Sequence, residues 1–162
     1  MRRTPLLAAL ALAAAPLAAG EPPAFDDLFG EALEWRSSQT AWRPDGTWLT
    51  YVWKDEGGAR SLQALDAARG EVPWTLPYVS LIPAGESAAI APEAYFWAPG
   101  SDALLFTAGG DFFLYRLESR QLRRLTRTAA EESEPAFSPD GERIAFVRAA
   151  NLWVLELESG RE

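Results

Sequence analysis

The residues that could perform chemistry in this chain are few, because its 162 residues include no histidine and no cysteine. A Ser-His-Asp or Cys-His catalytic arrangement therefore cannot be built from this sequence. Residues 85–89, GESAA, approach the Gly-x-Ser-x-Gly nucleophile elbow but end in alanine. An elbow also needs a strand, a strained turn and a helix, whereas this stretch lies between Pro83 and Pro92. We predict that Ser87 lies in a plain surface loop, and we assign no catalytic residue.

Metal and cofactor sites are equally poorly represented. Without histidine or cysteine only oxygen atoms remain as ligands, and the sequence contains no Asp-x-Asp-x-Asp-Gly loop of the calcium-binding kind. Gly57-Gly58 and Gly109-Gly110 are typical of hairpin turns rather than phosphate cradles, because no helix start follows either pair. We therefore predict no metal site, no cofactor site and no substrate-binding residue within the chain.

Two charge clusters remain. Glu131-Glu132 places two carboxylates side by side, and charge runs of this kind in loops usually form a solvated turn, which is our prediction here. The basic cluster at residues 120, 123, 124 and 127, all arginines, is predicted to form a solvated strand edge. The chain as a whole is acidic, with a formal net charge of −8, which repels phosphate backbones and gains nothing from anionic lipid. We expect no nucleic-acid partner.

Residues 1–20 have the pattern of a secretory signal peptide. Arg2 and Arg3 form a basic start, residues 6–19 are an apolar stretch, and residues 18–20 (AAG) are small enough for signal peptidase. The apolar stretch is too short for the roughly 20 residues that span a bilayer. Without a cysteine, no lipid anchor can form at the cleavage site. The prediction is a periplasmic or secreted protein with no membrane contact beyond the signal peptide and a mature net charge of −10.

A repeated phrase organises the rest of the chain. Residues 134–146 read EPAFSPDGERIAF, and residues 41–51 read AWRPDGTWLTY. Pro-Asp-Gly favours a tight turn, and the β-branched and aromatic run after it favours a strand, so each copy predicts a hairpin. Shifting the chain by forty residues aligns residues 151–159 with residues 111–119 without a gap. Trp42, Trp97 and Phe137 recur in register, which fits packing between repeats, with a sugar-stacking platform as the alternative.

Each repeat can be divided into short antiparallel strands, as in the blades of a β-propeller. The predicted fold class is all-β, an incomplete β-propeller of about three four-stranded antiparallel blades after a signal peptide. The alternative is a small β-sandwich, which does not require a forty-residue repeat. The predicted divisions are a signal peptide (1–20), a lead-in segment (21–38), a first blade (39–75), a connecting loop (76–93), a second blade (94–126) and an incomplete third blade (134–162).

The order of these phrases resembles the N-terminal propeller of dipeptidyl peptidase IV-like serine peptidases, the prolyl oligopeptidase group. The resemblance begins at about Asp26 and continues to the end of the chain. Its phrases are DDLFG at 26–30, WRPDG at 42–46, YFW at 95–97, GGDFFLY at 109–115, QLRRLT at 121–126 and EPAFSPDGERIAFVRAANLWVLEL at 134–157. TolB-type periplasmic propellers carry similar turns, but the lengthened first connection favours the peptidase.

The resemblance implies a propeller of about eight blades that caps an α/β-hydrolase domain. Such proteins release N-terminal Xaa-Pro or Xaa-Ala dipeptides, and their serine, aspartate and histidine follow the propeller in chain order. Their amine-binding glutamate pair lies in a phrase resembling Asp-Trp-Val-Tyr-Glu-Glu, which Glu131-Glu132 does not match, so that pair is expected beyond Glu162. A propeller arginine near the substrate has no match here.

The expected function is therefore a wall of the substrate chamber that controls access, in a chain that is inactive by itself. Its expected partners are a peptide substrate and a downstream hydrolase domain, and a homodimer is left open. The alternative is a non-enzymatic TolB-type periplasmic propeller that binds a protein partner.

Overall fold

The computed structural model of the protein describes residues 37–162, and their regular structure is almost entirely β. The predicted signal peptide and nearly all of the predicted lead-in segment lie outside these residues. The first sheet consists of β1 (Ser37–Trp42), β2 (Trp48–Lys54), β3 (Arg60–Asp66) and β4 (Glu71–Pro77), in the order β1-β2-β3-β4. All neighbouring strands in it are antiparallel.

Two further sheets follow with the same up-and-down order. The second consists of β5 (Ala94–Trp97), β6 (Ala103–Ala108), β7 (Asp111–Arg116) and β8 (Gln121–Arg124). The third consists of β9 (Glu132–Phe137), β10 (Arg143–Arg148) and β11 (Asn151–Glu156). The only helix in residues 37–162 is a single 3-10 turn, Tyr78–Ser80, so no helix in this part of the chain is long and apolar enough to cross a membrane.

The repeated Pro-Asp-Gly phrase forms the turn between the first two strands of a sheet. In the third sheet Gly141 N donates to Ser138 O at 2.9 Å, and Asp140 Oδ1 accepts from Glu142 N at 2.9 Å. In the first sheet Asp45 Oδ1 accepts from Thr47 N in the same way, at 3.0 Å. The aspartate side chain thus satisfies backbone donors that the turn would leave free, which explains why this sequence forms the first hairpin of its sheet.

The second sheet is covered on both faces, and its sequence shows this. Its central strands read ALLFTA and DFFLYR, and nearly every residue in them is buried. The first and third sheets bury alternate residues of their second strands. One core joins the first and second sheets around Val52, Leu62 and Phe106, and another joins the second and third around Phe112 and Phe146. Continuous apolar strands are what a sheet needs when both of its faces are covered.

The connection between the first two sheets packs against the edge of the second. Pro83 forms a parallel bridge with Leu122 of β8, and Ala84 N donates to Leu122 O at 2.9 Å. Both Leu81 and Pro83 are fully buried. An uncovered edge strand would offer free backbone groups to other chains, so this loop protects β8 along part of its length.

The first strand of the first sheet and the first strand of the third sheet each contain a bulge, at equivalent positions of the repeat. The pairing of β1 with β2 shifts between Ser38 and Thr40, and the pairing of β9 with β10 shifts beside Glu134. The bulged residues, Gln39 and Glu134, have φ values of 53° and 52°. Such left-handed backbone is uncommon for residues other than glycine, and the sequence pattern did not predict it.

Candidate functional site

The residues that the sequence singled out lie in two different environments. Ser87 is exposed in a bend of the connecting loop, as predicted, with no helix following it. Glu131 is exposed, but Glu132 begins β9 and is only 4% exposed. The prediction that Glu131-Glu132 forms a solvated turn is therefore wrong for Glu132. The reason is strand alternation, because at the start of a strand neighbouring side chains point to opposite faces.

Glu132 is held by an arginine and two threonines. Arg148 Nε, at the end of β10, donates to Glu132 Oε1 at 3.0 Å. Thr126 Oγ1 donates to Glu132 Oε2 at 2.6 Å, and Thr128 Oγ1 lies 2.6 Å from Oε1. The carboxylate therefore receives charge-assisted hydrogen bonds on both oxygens, which is the condition for burying a charged group without a large penalty.

Arg148 is itself surrounded by compensating groups. Its two terminal nitrogens donate to Glu162 at 2.7 and 2.6 Å, and its guanidinium lies 4.8 Å from the ring centre of Trp153. These carboxylates, Glu162 first, raise the pKa of Arg148 further above its usual value, although burial acts in the opposite direction. The same bonds lower the pKa of Glu162. An arginine on the buried face of β10, in line with Ile144 and Phe146, was the sequence signal that a buried carboxylate had to lie nearby.

A second group of charges continues the network into the second sheet. Asp111, which is buried at the start of β7, pairs with Arg124 of β8, and Arg124 also pairs with Glu86 at 3.2 Å. Thr126 Oγ1 connects the two groups, since it accepts from Phe112 N at 2.9 Å while it bonds Glu132. The prediction of a solvated arginine edge holds for Arg127, whose side chain is 72% exposed, but is wrong for Arg124, whose side chain is 28% exposed.

Together these groups form what we call the polar junction: Glu86, Asp111, Arg124, Thr126, Thr128, Glu132, Arg148 and Glu162. It joins the connecting loop, the second sheet and the third sheet. Two shallow concavities of about 280 and 550 Å³ border it, and both are lined by Glu86, Arg124 and Arg127. Within residues 37–162, no buried side-chain nitrogen or oxygen lacks a hydrogen-bond partner, and no cluster of acidic residues is suited to a metal ion. The junction is therefore built to hold sheets together, and its charges are already paired.

The first and second sheets meet through a different polar contact. Thr50, fully buried in β2, accepts from Trp97 Nε1 at 3.0 Å, and its carbonyl accepts from Tyr95 Oη at 2.9 Å. Burial raises the pKa of Tyr95. The turns between the first two strands of these two sheets are also joined. Arg43 donates to Ser101 O from Nε at 3.1 Å and from Nη2 at 2.9 Å. Each sheet is thus fixed to the next by buried polar bonds as well as by an apolar core.

Solved structures with the same arrangement of sheets are β-propellers. TolB from Acinetobacter baumannii matches 77% of this chain with a TM-score of 0.55 and 21% identity, over 31% of its own chain. Dipeptidyl peptidase 4 of Porphyromonas gingivalis matches 75% with a TM-score of 0.55 and 18% identity, over 18% of its own chain. A protein described as a dipeptidyl aminopeptidase IV of Bacteroides ovatus matches 77% with a TM-score of 0.59 and 11% identity, over 21% of its own chain.

The fold and the polar junction therefore define a protein of the β-propeller class. The predicted all-β fold with blade-like sheets is confirmed. The chain spans less than half the length of each of these structures. Residues 106–162 match the family model of the dipeptidyl peptidase IV N-terminal region. The resemblance to a dipeptidyl peptidase IV-like N-terminal propeller region is thereby confirmed, and the match includes most of the polar junction.

Proposed function

We propose that this chain is the N-terminal propeller part of an exported serine dipeptidyl peptidase, which releases Xaa-Pro or Xaa-Ala dipeptides from the amino end of peptides. The observation that carries the proposal is the family match over residues 106–162. These residues contain the phrase EPAFSPDGERIAF and the buried Glu132 and Arg148. The fold resembles TolB and the peptidases to a similar degree, and the family match over residues 106–162 supports the peptidase.

In this proposal the sheets form a wall of the substrate chamber and restrict access to short or unfolded peptides. The chain contributes position rather than chemistry, since it has no histidine for a catalytic triad. The expected partners are a peptide substrate and an α/β-hydrolase domain from the rest of a longer protein. The amine-binding glutamates and the catalytic residues are expected beyond Glu162. The predicted signal peptide places the protein in the periplasm or outside the cell, and the homodimer remains part of the proposal.

The experiment begins with the coding sequence downstream of Glu162. We expect a phrase resembling Asp-Trp-Val-Tyr-Glu-Glu, then a Gly-x-Ser-x-Gly elbow and a histidine. The longer protein should cleave a chromogenic Xaa-Pro substrate, and alanine at the elbow serine should abolish cleavage. The 162-residue chain, assayed as the matched control, should show none. Downstream sequence without an elbow, or a longer protein that fails to cleave the substrate, would contradict the proposal.

The alternative is a non-enzymatic periplasmic propeller that binds a protein partner. It is favoured by one observation, the match of TolB to 77% of this chain at 21% identity. The same downstream sequence separates the two functions. A stop codon after a few more blades, with no hydrolase domain, would select the binding protein.

A further inference from the structure

Part of the connection between the first and second sheets forms a small closed loop. Ile90 N donates to Leu81 O at 2.9 Å, so residues 82–90 leave the fold and return to nearly the same point. We call these residues the closed loop. At its tip, residues 85–89, every residue except Glu86 is exposed. Closed surface loops of this size are frequently functional.

Glu86 connects the tip of the closed loop to the second sheet. Its Oε1 accepts from Arg124 Nη1 at 3.2 Å and from Arg127 Nη2 at 3.0 Å, and its Oε2 has no hydrogen-bond partner among residues 37–162. The side chains of Glu86 and Arg127 are 29% and 72% exposed. Ion pairs as exposed as this one contribute little to stability. Glu86 is therefore a weakly held carboxylate between two arginines.

The edge of β8 is open beside these arginines. Ala84 N donates to Leu122 O, so the backbone groups of Leu122 point away from β7. Those of Arg124 point the same way, because alternate residues of a strand direct their backbone groups to the same side. Among residues 37–162, no backbone group outside the strands bonds to those of Arg124. The two concavities of about 280 and 550 Å³ lie next to this edge.

The same edge is positively charged, although the chain as a whole has a formal net charge of −8. Arg120 and Arg123 also lie on it, and neither forms an ion pair within residues 37–162. Opposite charges on neighbouring strands stabilise their pairing. The edge therefore suits an extended segment that carries carboxylates. A long polyanion such as nucleic acid is disfavoured by the negative charge of the rest of the chain.

We propose that an extended acidic segment of a partner protein adds to the open edge of β8, with one of its carboxylates between Arg124 and Arg127. Addition of a strand to an exposed sheet edge is a common mode of peptide recognition. The chain itself uses this edge in the same way, since Pro83 forms a parallel bridge with Leu122. Glu86 occupies the carboxylate position in the free protein and competes with the partner. The proposal goes beyond the proposed function and does not rest on it.

The first experiment uses a fluorescein-labelled peptide, Val-Glu-Val-Glu-Val-Glu, and measures its fluorescence anisotropy with the purified protein at low salt. We expect saturable binding. Glu86→Gln removes the competitor and should increase the affinity up to about fivefold, the most that an exposed ion pair contributes. Arg127→Gln should weaken binding by a similar factor.

Arg69→Gln is the matched control, because the Arg69 side chain is 75% exposed and paired but lies in the turn between β3 and β4. It should leave the affinity unchanged. Absence of binding, a Glu86→Gln variant that binds no more tightly, or equal losses in Arg127→Gln and Arg69→Gln would overturn the proposal.

The second experiment tests whether β8 recognises the backbone of the peptide as well as its charge. The same peptide with methylated backbone nitrogens should bind at least about fivefold more weakly, because it cannot donate to the edge of β8. The neutral peptide Val-Gln-Val-Gln-Val-Gln should also bind more weakly, and a single-stranded DNA of six nucleotides should not compete. Equal binding of the methylated peptide would contradict strand addition. Competition by the DNA would contradict an acidic peptide as the occupant.

Discussion

Glu131 and Glu132 show how much one step along the chain changes the physical situation of a side chain. Glu131 is exposed, whereas Glu132 is buried against Arg148, Thr126 and Thr128. The two carboxylates are chemically the same and adjacent in the chain, so the sequence pattern predicts the same environment for both. Glu131 remains in contact with water and has no desolvation cost, whereas Glu132 has one. The stability that each one contributes should therefore differ strongly.

Glu132→Ala should reduce the free energy of unfolding by about 3–5 kcal/mol, since it leaves the buried Arg148 without one of its two carboxylates. Glu131→Ala, the matched control on the neighbouring exposed position, should change it by less than about 0.5 kcal/mol. Urea denaturation followed by tryptophan fluorescence measures both values. Equal effects of the two substitutions would show that the polar junction does not stabilise the fold.

The pairing of Glu162 with Arg148 predicts a dependence of stability on acid. Arg148 lowers the pKa of Glu162 from its ordinary value of 4.5. The folded state then binds fewer protons than the unfolded state in this range, so the stabilisation is complete above about pH 5 and is lost as the pH falls through the folded pKa. Glu162→Gln should lower the melting temperature at pH 7 and flatten its dependence on pH below 5.

The control for this prediction is Glu158→Gln, which removes a nearby exposed charge. Asp45 and Asp140 also have lowered pKa values, because they accept hydrogen bonds, from Thr47 and Ser138 respectively as the strongest cause. A residual slope should therefore remain in every variant. If Glu158→Gln flattened the profile as much as Glu162→Gln, the effect would come from net charge and not from the pair.

Among the elements, the turns between the second and third strands of the second and third sheets use different residues for one geometry. In the second sheet this turn is Gly109-Gly110, with φ values of 58° and 79°. In the third sheet it is Ala149-Ala150, with φ values of 49° and 59°. Two residues with positive φ are what a two-residue hairpin turn of the type I′ requires. Alanine can adopt this backbone only with strain. The hairpin turn of the third sheet is therefore less stable than the hairpin turn of the second.

Ala150→Gly should therefore stabilise the protein. Relief of the left-handed strain is worth about 1–2 kcal/mol, and the greater freedom of glycine in the unfolded chain offsets about 0.4–1 kcal/mol of it. The expected net gain is about 0.5–1 kcal/mol in thermal or urea unfolding. Ala68→Gly is the control, because Ala68 is in an exposed turn without positive φ and should lose up to about 1 kcal/mol. A loss of stability in both variants would contradict the strain.

Secondary structure was largely predictable from the sequence, because it depends on local chemistry. The pattern of turns and β-branched residues predicts two four-stranded blades and an incomplete third, and residues 37–162 form two four-stranded sheets and one three-stranded sheet. The bulges at Gln39 and Glu134 and the bridge from Pro83 to Leu122 were missed. The polar junction was missed as well. These features depend on which side chains meet across sheets, and spacing along one chain does not specify that.

At the scale of the whole molecule, stability should be graded from the middle sheet outward. When repeats contact only their neighbours, total stability is approximately the sum of each repeat and of its interfaces. The second sheet has two interfaces, whereas the first and third have one each among the described residues. The backbone of the second sheet should therefore open only when both cores are lost.

Hydrogen exchange followed by mass spectrometry measures this gradient directly. Amides in residues 103–116, which cover β6 and β7, should exchange slowest, because their side chains are buried on both faces. Amides in β11 should exchange fastest, since β11 lies at the edge of its sheet and exposes Leu152 and Val154. Uniform protection across all three sheets would mean that the molecule opens only as a unit.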